Sequence, residues 1–269
     1  MMGASLCKSI KKHNIAKKLS GFDSDMNTLD YALKNKIVDV VYNDLNKISH
    51  SDLIILCTPI STYPRLIQQI LKSIKKKTIL TDIGSSKGNA HVQITKILSK
   101  SKIEYLSSHP MVGSEKSGIK HSKVNMYKNK IVLIIDKNSV KQSTYNQVNS
   151  FWLSIGSDTH IINKDKHDNL MAQTSHISHL MSYVFMESLP QSVIDNNLSL
   201  LLGGGIKEHV RLSKSDPKMW SDIFINNKSN IKKTVSRIQK NISRIKLAID
   251  KSDKEKLREI LKKIQSKTI

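Results

Sequence analysis

His109 stands in the segment SSHPMVGSEKSG (107–118), directly after the strand-like run IEYLSS (103–108). Imidazole is the side chain whose ordinary pKa lies nearest neutrality, so at a strand end it can take a substrate's hydroxyl proton and later return it. Three other strand-like runs end in residues able to hold a ligand. Asp23 closes LSGFD (19–23), where a carboxylate can accept from both hydroxyls of a ribose. Thr58 and Pro59 follow DLIILC (52–57), and TILTDIG (78–84) runs through Asp82 into small residues and a lysine. Glycine and serine after a strand usually make only a turn. In open α/β sheets, however, ligands bind at the carboxyl ends of the strands, and four such ends together point to a dinucleotide cleft.

Further along, Arg211 is one of only five arginines, with Arg65, Arg237, Arg244 and Arg258. Its guanidinium fork can bind a carboxylate at two points where a lysine offers a single charge. His176 and His179 are three residues apart, hence on one helical face. Two imidazoles could ligate a metal, but no third His, Asp or Glu is convincingly placed beside them, and no metal site is expected.

These residues need a scaffold. Strand candidates at 19–23, 52–57, 78–84, 103–108, 130–135 and 158–162 alternate with amphipathic stretches such as RLIQQILKSIKKK and HVQITKILSKS. Uninterrupted apolar runs such as LIIL suit strands covered on both faces, the condition of a parallel sheet with right-handed helical crossovers. Beyond residue 162 the strand signal stops. KDKHDNLMAQTSHISHLMSYVFMESL (164–189) predicts one long helix closed by Pro190, and further helical patterns follow over 218–249 and 252–266. The expected organisation is an α/β, Rossmann-like, mostly parallel sheet domain over residues 1–162 and an all-helical domain over 163–269.

Composition narrows the class. The formal charge is +22 over 269 residues, yet nearly all basic residues are lysine and aromatics are 5%. Nucleic-acid surfaces favour arginine forks and aromatic stacking, so a solvated lysine-rich exterior is the expectation. No apolar run approaches the roughly 20 residues that span a bilayer. Cys7 and Cys57 are far apart with no metal-binding spacing, which points to a reduced, cytoplasmic setting.

Taken in order, TDIGSSKG (81–88), HPMVGSEKSG (109–118), HISHL (176–180) and GGGIKEHVRLSKSDPKMWSDIF (203–224) resemble the prephenate and arogenate dehydrogenase family of tyrosine biosynthesis. The resemblance covers essentially the whole chain. It implies oxidative decarboxylation of prephenate to 4-hydroxyphenylpyruvate, with hydride transfer to NAD. His109 would be the proton acceptor and Ser85 its hydrogen-bonding partner. Arg211, His179, His176, Glu115 and Trp220 would lie around the substrate, and Gly3, Asp23, Thr58, Pro59 and Asp82 around the cofactor. Trp220 could equally be ordinary helix packing. Asp23 favours NAD over NADP by repelling the extra phosphate, although nearby lysines could compensate. A homodimer through the helical domain is expected.

The resemblance departs from its pattern at the start. Gly3 matches the last glycine of G-x-G-x-x-G, and Asp23 follows it by 20 residues, as the ribose acid should. The first strand and first two glycines do not precede it, so either the true start lies upstream or the chain is truncated and cofactor binding is weakened. The rival readings are an arogenate enzyme, a two-domain hydroxy- or imino-acid dehydrogenase with Lys207 as its catalytic group, and an inactive binding protein.

Overall fold

The computed structural model describes residues 1–74, 76–114, 116–191 and 204–267. Its strands form three hydrogen-bonded sets. β1 (Ser20–Phe22) pairs in parallel with β2 (Val40–Tyr42). β3 (Leu53–Leu56), β4 (Thr78–Asp82) and β5 (Ile103–Tyr105) form a second parallel set. In the third, β6 (Ser108–Pro110) runs antiparallel to β7 (Ile131–Ile135), which is parallel to β8 (Asp158–Ile162). The Leu106 N–H donates to the Leu80 carbonyl at 3.0 Å and the Ile135 N–H to the Ser107 carbonyl at 2.9 Å, which carries the second set into the third. The β1–β2 ladder is not hydrogen-bonded to β3. All six expected strands are present in this mostly parallel sheet. Two short ones, VVY at 40–42 and SHP at 108–110, are too brief to show a pattern in the sequence.

Five helices accompany the sheet: α1 (Met2–Lys12), α2 (Met26–Lys34), α3 (Tyr63–Ser73), α4 (Gly88–Leu98) and α5 (Gln142–Ser154). Successive residues of a strand face opposite ways. Along β4, Ile79 therefore enters a core with Leu6, Ile10, Val132, Val148 and Trp152, under α1 and α5. Leu80 enters another with Tyr63, Ile67, Ile70 and Ile94, under α3 and α4. Every residue of β4 is buried. Helix α1 comes so close to the end of β3 that a Cβ on Gly3 would lie 2.9 Å from the Cys57 Cβ. Glycine there permits the tight helix–strand packing that the last glycine of the dinucleotide fingerprint serves.

Among the described residues the helices that follow are α6 (Lys164–Met171), a π-helical turn (Ala172–His176), α7 (Ile177–Glu187), α8 (Gly204–Ser213), α9 (Pro217–Asn226), α10 (Lys228–Asp250) and α11 (Lys254–Gln265). A π turn interrupts the α-type hydrogen bonding of the long helix expected over 164–189, and the helical pattern over 218–249 divides at Asn227. A π turn inserts extra backbone and rotates the residues beyond it relative to those before. Asn227 separates α9 from α10, and its side chain turns inward, 3% exposed. Both breaks fall beside the site.

Candidate active site

His109 is the middle residue of β6, opposite Leu133, rather than the last residue of a strand. It is 7% exposed and points across the junction between sheet and helices. Its Nδ1 lies 2.8 Å from Nε2 of His167 in α6, and His167 Nδ1 lies 2.9 Å from Asp168 Oδ1. Asp168 also accepts from the backbone N–H groups of Lys87, at 2.9 Å, and Gly88, where α4 begins. Burial raises the Asp168 pKa, but these donors, His167 foremost, outweigh it and hold the carboxyl below its ordinary value.

The chain of bonds dictates the tautomers. A carboxylate only accepts, so His167 Nδ1 carries a proton, and in the neutral ring Nε2 is then the lone pair. That lone pair must receive the proton on His109 Nδ1. His109 Nε2 is then unprotonated, a base. Burial, followed by His167, Lys87 and His176, holds the His109 pKa well below the ordinary imidazole value, so the ring stays neutral at physiological pH.

Asp82, expected at the cofactor, is placed otherwise. It is 1% exposed, and its Oδ1 accepts from Tyr105 Oη at 2.9 Å, Ser107 Oγ at 2.7 Å and Ser108 N at 3.3 Å. Its Oδ2 accepts from Gly84 N at 2.9 Å and Lys87 Nζ at 2.7 Å. With five donors the carboxylate has no capacity for a cofactor. It anchors the turn after β4 and the start of β6.

The helical half supplies the other wall. Asn227 Nδ2 donates to the Asp168 carbonyl at 2.7 Å and to His176 Nδ1 at 3.2 Å, while its Oδ1 accepts from Asn230 Nδ2 at 2.8 Å. The amide orientation is thereby set, and His176 Nδ1 must be the acceptor, so its proton sits on Nε2. Among the described residues neither His176 Nε2 nor Trp220 Nε1 has a hydrogen-bond partner, although both side chains are buried. Burial above all lowers the His176 pKa to about 4. The Trp220 ring stacks on His179 at 3.6 Å between centroids and meets His176 edge-on at 6.1 Å. Half-buried Ser85, in the bend between β4 and α4, presents its backbone to His176.

Other expected residues are more dispersed. Arg211 is exposed on α8, where it makes a bidentate pair with Glu208 at 2.6 and 2.8 Å, and its charge reaches His179. Glu115 lies outside the described residues. Asp23 follows β1, half-buried, with Oδ1 accepting from Asp25 N. Its charge is felt at the start of α1. Thr58 Oγ1 is 2.8 Å from Thr62 Oγ1, and exposed Pro59 leads the short helical turn Ile60–Thr62. Asp23, Thr58, Pro59 and Gly3 thus gather around the ends of β1 and β3.

Sequence reasoning passes over His167, Asp168, Asn226 and Asn227, and meets Lys87 only as the lysine that follows a strand end. The signals are slight: an adjacent His-Asp pair in the first turns of a helix, a lysine inside a run of small residues, and two asparagines within an apolar helical pattern. Asn226 is a clamp between the two halves, since its Oδ1 accepts from Ala90 N at 2.9 Å and its Nδ2 donates to Ser86 Oγ at 2.7 Å.

Comparison with known proteins agrees with this geometry. Residues 6–161 match the family model for the nucleotide-binding domain of prephenate dehydrogenase, and residues 163–263 that for its dimerization domain. The prephenate dehydrogenase of Lactococcus lactis subsp. cremoris is 24% identical over 257 residues, which cover 95% of this chain and 70% of that one. A crystal structure of prephenate dehydrogenase from A. aeolicus with hydroxyphenyl propionate and NAD+ superimposes with a TM-score of 0.88 at 27% identity, covering 99% of this chain and 93% of that one. Synechocystis arogenate dehydrogenase shares the fold, with a TM-score of 0.78 at 18% identity over 98% and 94% of the two chains. Both halves match in order, and the histidine-lined junction lies between them: the chain belongs to the prephenate dehydrogenase family.

Proposed function

We propose that the junction around His109 carries out the family's reaction: the chain is an NAD-dependent dehydrogenase that oxidises prephenate to 4-hydroxyphenylpyruvate and carbon dioxide. The observation that carries this is the His109–His167–Asp168 chain, which leaves a lone pair on His109 Nε2. That nitrogen takes the proton of the ring hydroxyl as hydride leaves the same carbon. The ring carboxylate then departs as carbon dioxide, its bonding pair flows through the ring to the new carbonyl oxygen, and the proton returns to give the phenol. Asp168, through His167, supports the imidazolium that exists between these steps. Aromatisation supplies the driving force, so the protein's work is alignment and one proton.

The N–H groups of His176 and Trp220, without a partner among the described residues, are donors for substrate oxygens, and Arg211 lends its charge on the His179 side. Burial makes such donors strong, because an unpaired N–H away from water costs about 1–3 kcal/mol that a carboxylate recovers. Ser85 stands beside this pocket.

The cofactor ends of the strands fit NAD. Gly3 opens a close approach at the α1 N-terminus, Asp23 offers a carboxylate to the adenine-side ribose, and Thr58 and Pro59 form the opposite lip. When bound, NAD supplies the hydride acceptor. A carboxylate at position 23 disfavours the NADP phosphate.

We read the protein as a cytoplasmic homodimer. Free Cys7 and Cys57 suit a reduced compartment, and no helix among the described residues is long and apolar enough to cross a membrane. Exposed Ile242, Leu247 and Ile249 of α10 and Leu261 and Ile264 of α11 offer an apolar face for a second copy. Leu261→Lys with Ile264→Lys should convert the dimer to monomer in light scattering, and a wild-type mass would refute that interface.

The test of the chemistry is His109→Asn with prephenate and NAD. Turnover should fall at least a thousandfold while prephenate still binds. A folded variant with unchanged turnover would remove His109 from the reaction.

A further inference from the structure

Lys87 is 1% exposed, in a chain whose other lysines are mostly solvated. Burying an ammonium is costly unless it is paired and hydrogen-bonded, so its place needs a reason. Its Nζ lies 2.7 Å from Asp82 Oδ2 and 2.8 Å from the carbonyl of Ser108, the residue immediately before His109. Its backbone N–H donates to Asp168 Oδ1 at 2.9 Å, the same oxygen that receives His167. One residue therefore grips both ends of the His109–His167–Asp168 chain.

We propose that Lys87 is a positioning residue for the reaction: it locks the strand carrying His109 in register with the His167–Asp168 pair and, as a cation bonded to the residue next to the ring, keeps that ring neutral and ready to accept a proton. The inference rests on His109 as the base. The groups facing His109 are His167 from α6, His176 from the π turn and Lys87 from the turn before α4, with Asp168 behind His167 and Asp82 behind Lys87. Each of the first three disfavours a charged His109. Lys87 is the ammonium among them, ion-paired with Asp82 at 2.7 Å. Burial lowers its own pKa, and Asp82 opposes that shift. A lysine that served only to neutralise Asp82 would need no bond to Ser108 and no backbone bond to Asp168.

The experiment follows the His109 ring resonance against pH by NMR in the full chain, assigned with His109→Asn, alongside the pH profile of kcat/KM. In the wild type the ring should stay neutral well below the ordinary value of about 6.5. In Lys87→Met its titration, and the acid limb of kcat/KM with it, should move up by about one pH unit or more. Lys87→Arg, which keeps the charge, should restore most of the shift. Where Lys87→Met does not fold, the pair Lys87→Met and Asp82→Asn removes both buried charges and is read in the same way. A wild-type ring that titrates at its ordinary value, or a variant ring that titrates with the wild type, overturns the proposal. Turnover surviving in His109→Asn would instead overturn the base assignment, while the ring titration would still decide the part played by Lys87.

Discussion

Asp168→Asn changes one oxygen into an amide nitrogen and tests the whole line of bonds. The carboxylate now receives three N–H donors: His167 Nδ1, Lys87 N and Gly88 N. An amide has one acceptor oxygen. With that oxygen turned to His167 and Lys87, its NH2 group meets the Gly88 N–H, and a bond to a charged acceptor worth about 1.5–3 kcal/mol is lost. With the amide reversed, His167 must move its proton to Nε2. His109 Nδ1 then becomes the acceptor, His109 Nε2 carries the proton, and no base faces the substrate. In either orientation the negative charge that supports the imidazolium is gone. Mis-set tautomers of this kind cost roughly a thousandfold to ten-thousandfold in kcat, about 4–5.5 kcal/mol of activation free energy. The assay is the appearance of reduced nicotinamide with prephenate and NAD, with KM measured separately. Asp168 touches no substrate in this scheme, so KM should change by less than about threefold, a shift under 1 kcal/mol. A folded variant that retained kcat within tenfold of the wild type would refute the relay.

Other perturbations probe the scaffold and the second wall. Gly88→Ala should part the two halves, because its Cβ would sit 2.2 Å from the Asn226 carbonyl oxygen; we expect about 1–3 kcal/mol lost in urea unfolding and a fall in kcat. Asn227→Ala frees the His176 ring to rotate and change tautomer, so KM for prephenate should rise about tenfold with kcat less affected. His176, with its pKa lowered to about 4, binds a proton more readily when unfolded. Between roughly pH 6.5 and 4 the unfolded state therefore carries more protons, and stability falls as pH falls through that window by about 3 kcal/mol from this residue. His109 adds loss in the same direction. His176→Gln should flatten the wild-type slope of unfolding free energy against pH, and an unaltered slope would refute the assignment.

Much of the fold was legible because burial leaves a periodic trace. β3 and β7 read as the continuous apolar runs LIIL and IVLII, and amphipathic helices repeat their apolar residues every three or four positions. His109 was legible as chemistry through its position after a strand-like run, and His176, His179 and Trp220 do come together, as their motifs imply. β2 is short and carries no clear period, and β6 follows β5 after only two residues, so those two read as one run with His109 just past its end. A π turn alters hydrogen bonding without altering the residue types that favour a helix, so the break at Ala172–His176 has no signature in composition. Asp82 was legible as an acid at a strand end and was expected at the cofactor, but its five donors come from 84, 87, 105, 107 and 108, and no local pattern announces them.

The amino-acid order alone determined the alternation of strand and helix, the change to helices after residue 162, and the identities of the side chains able to move a proton or hold a carboxylate. Only the tertiary structure decided which of them act together. His109 meets His167 across 58 positions of sequence, and Lys87 reaches Asp168 across 81. Tautomer and charge state are properties of neighbours in space: an imidazole in isolation is donor and acceptor at once, and it becomes a base at one chosen nitrogen when a distant carboxylate occupies the other end of its chain of bonds.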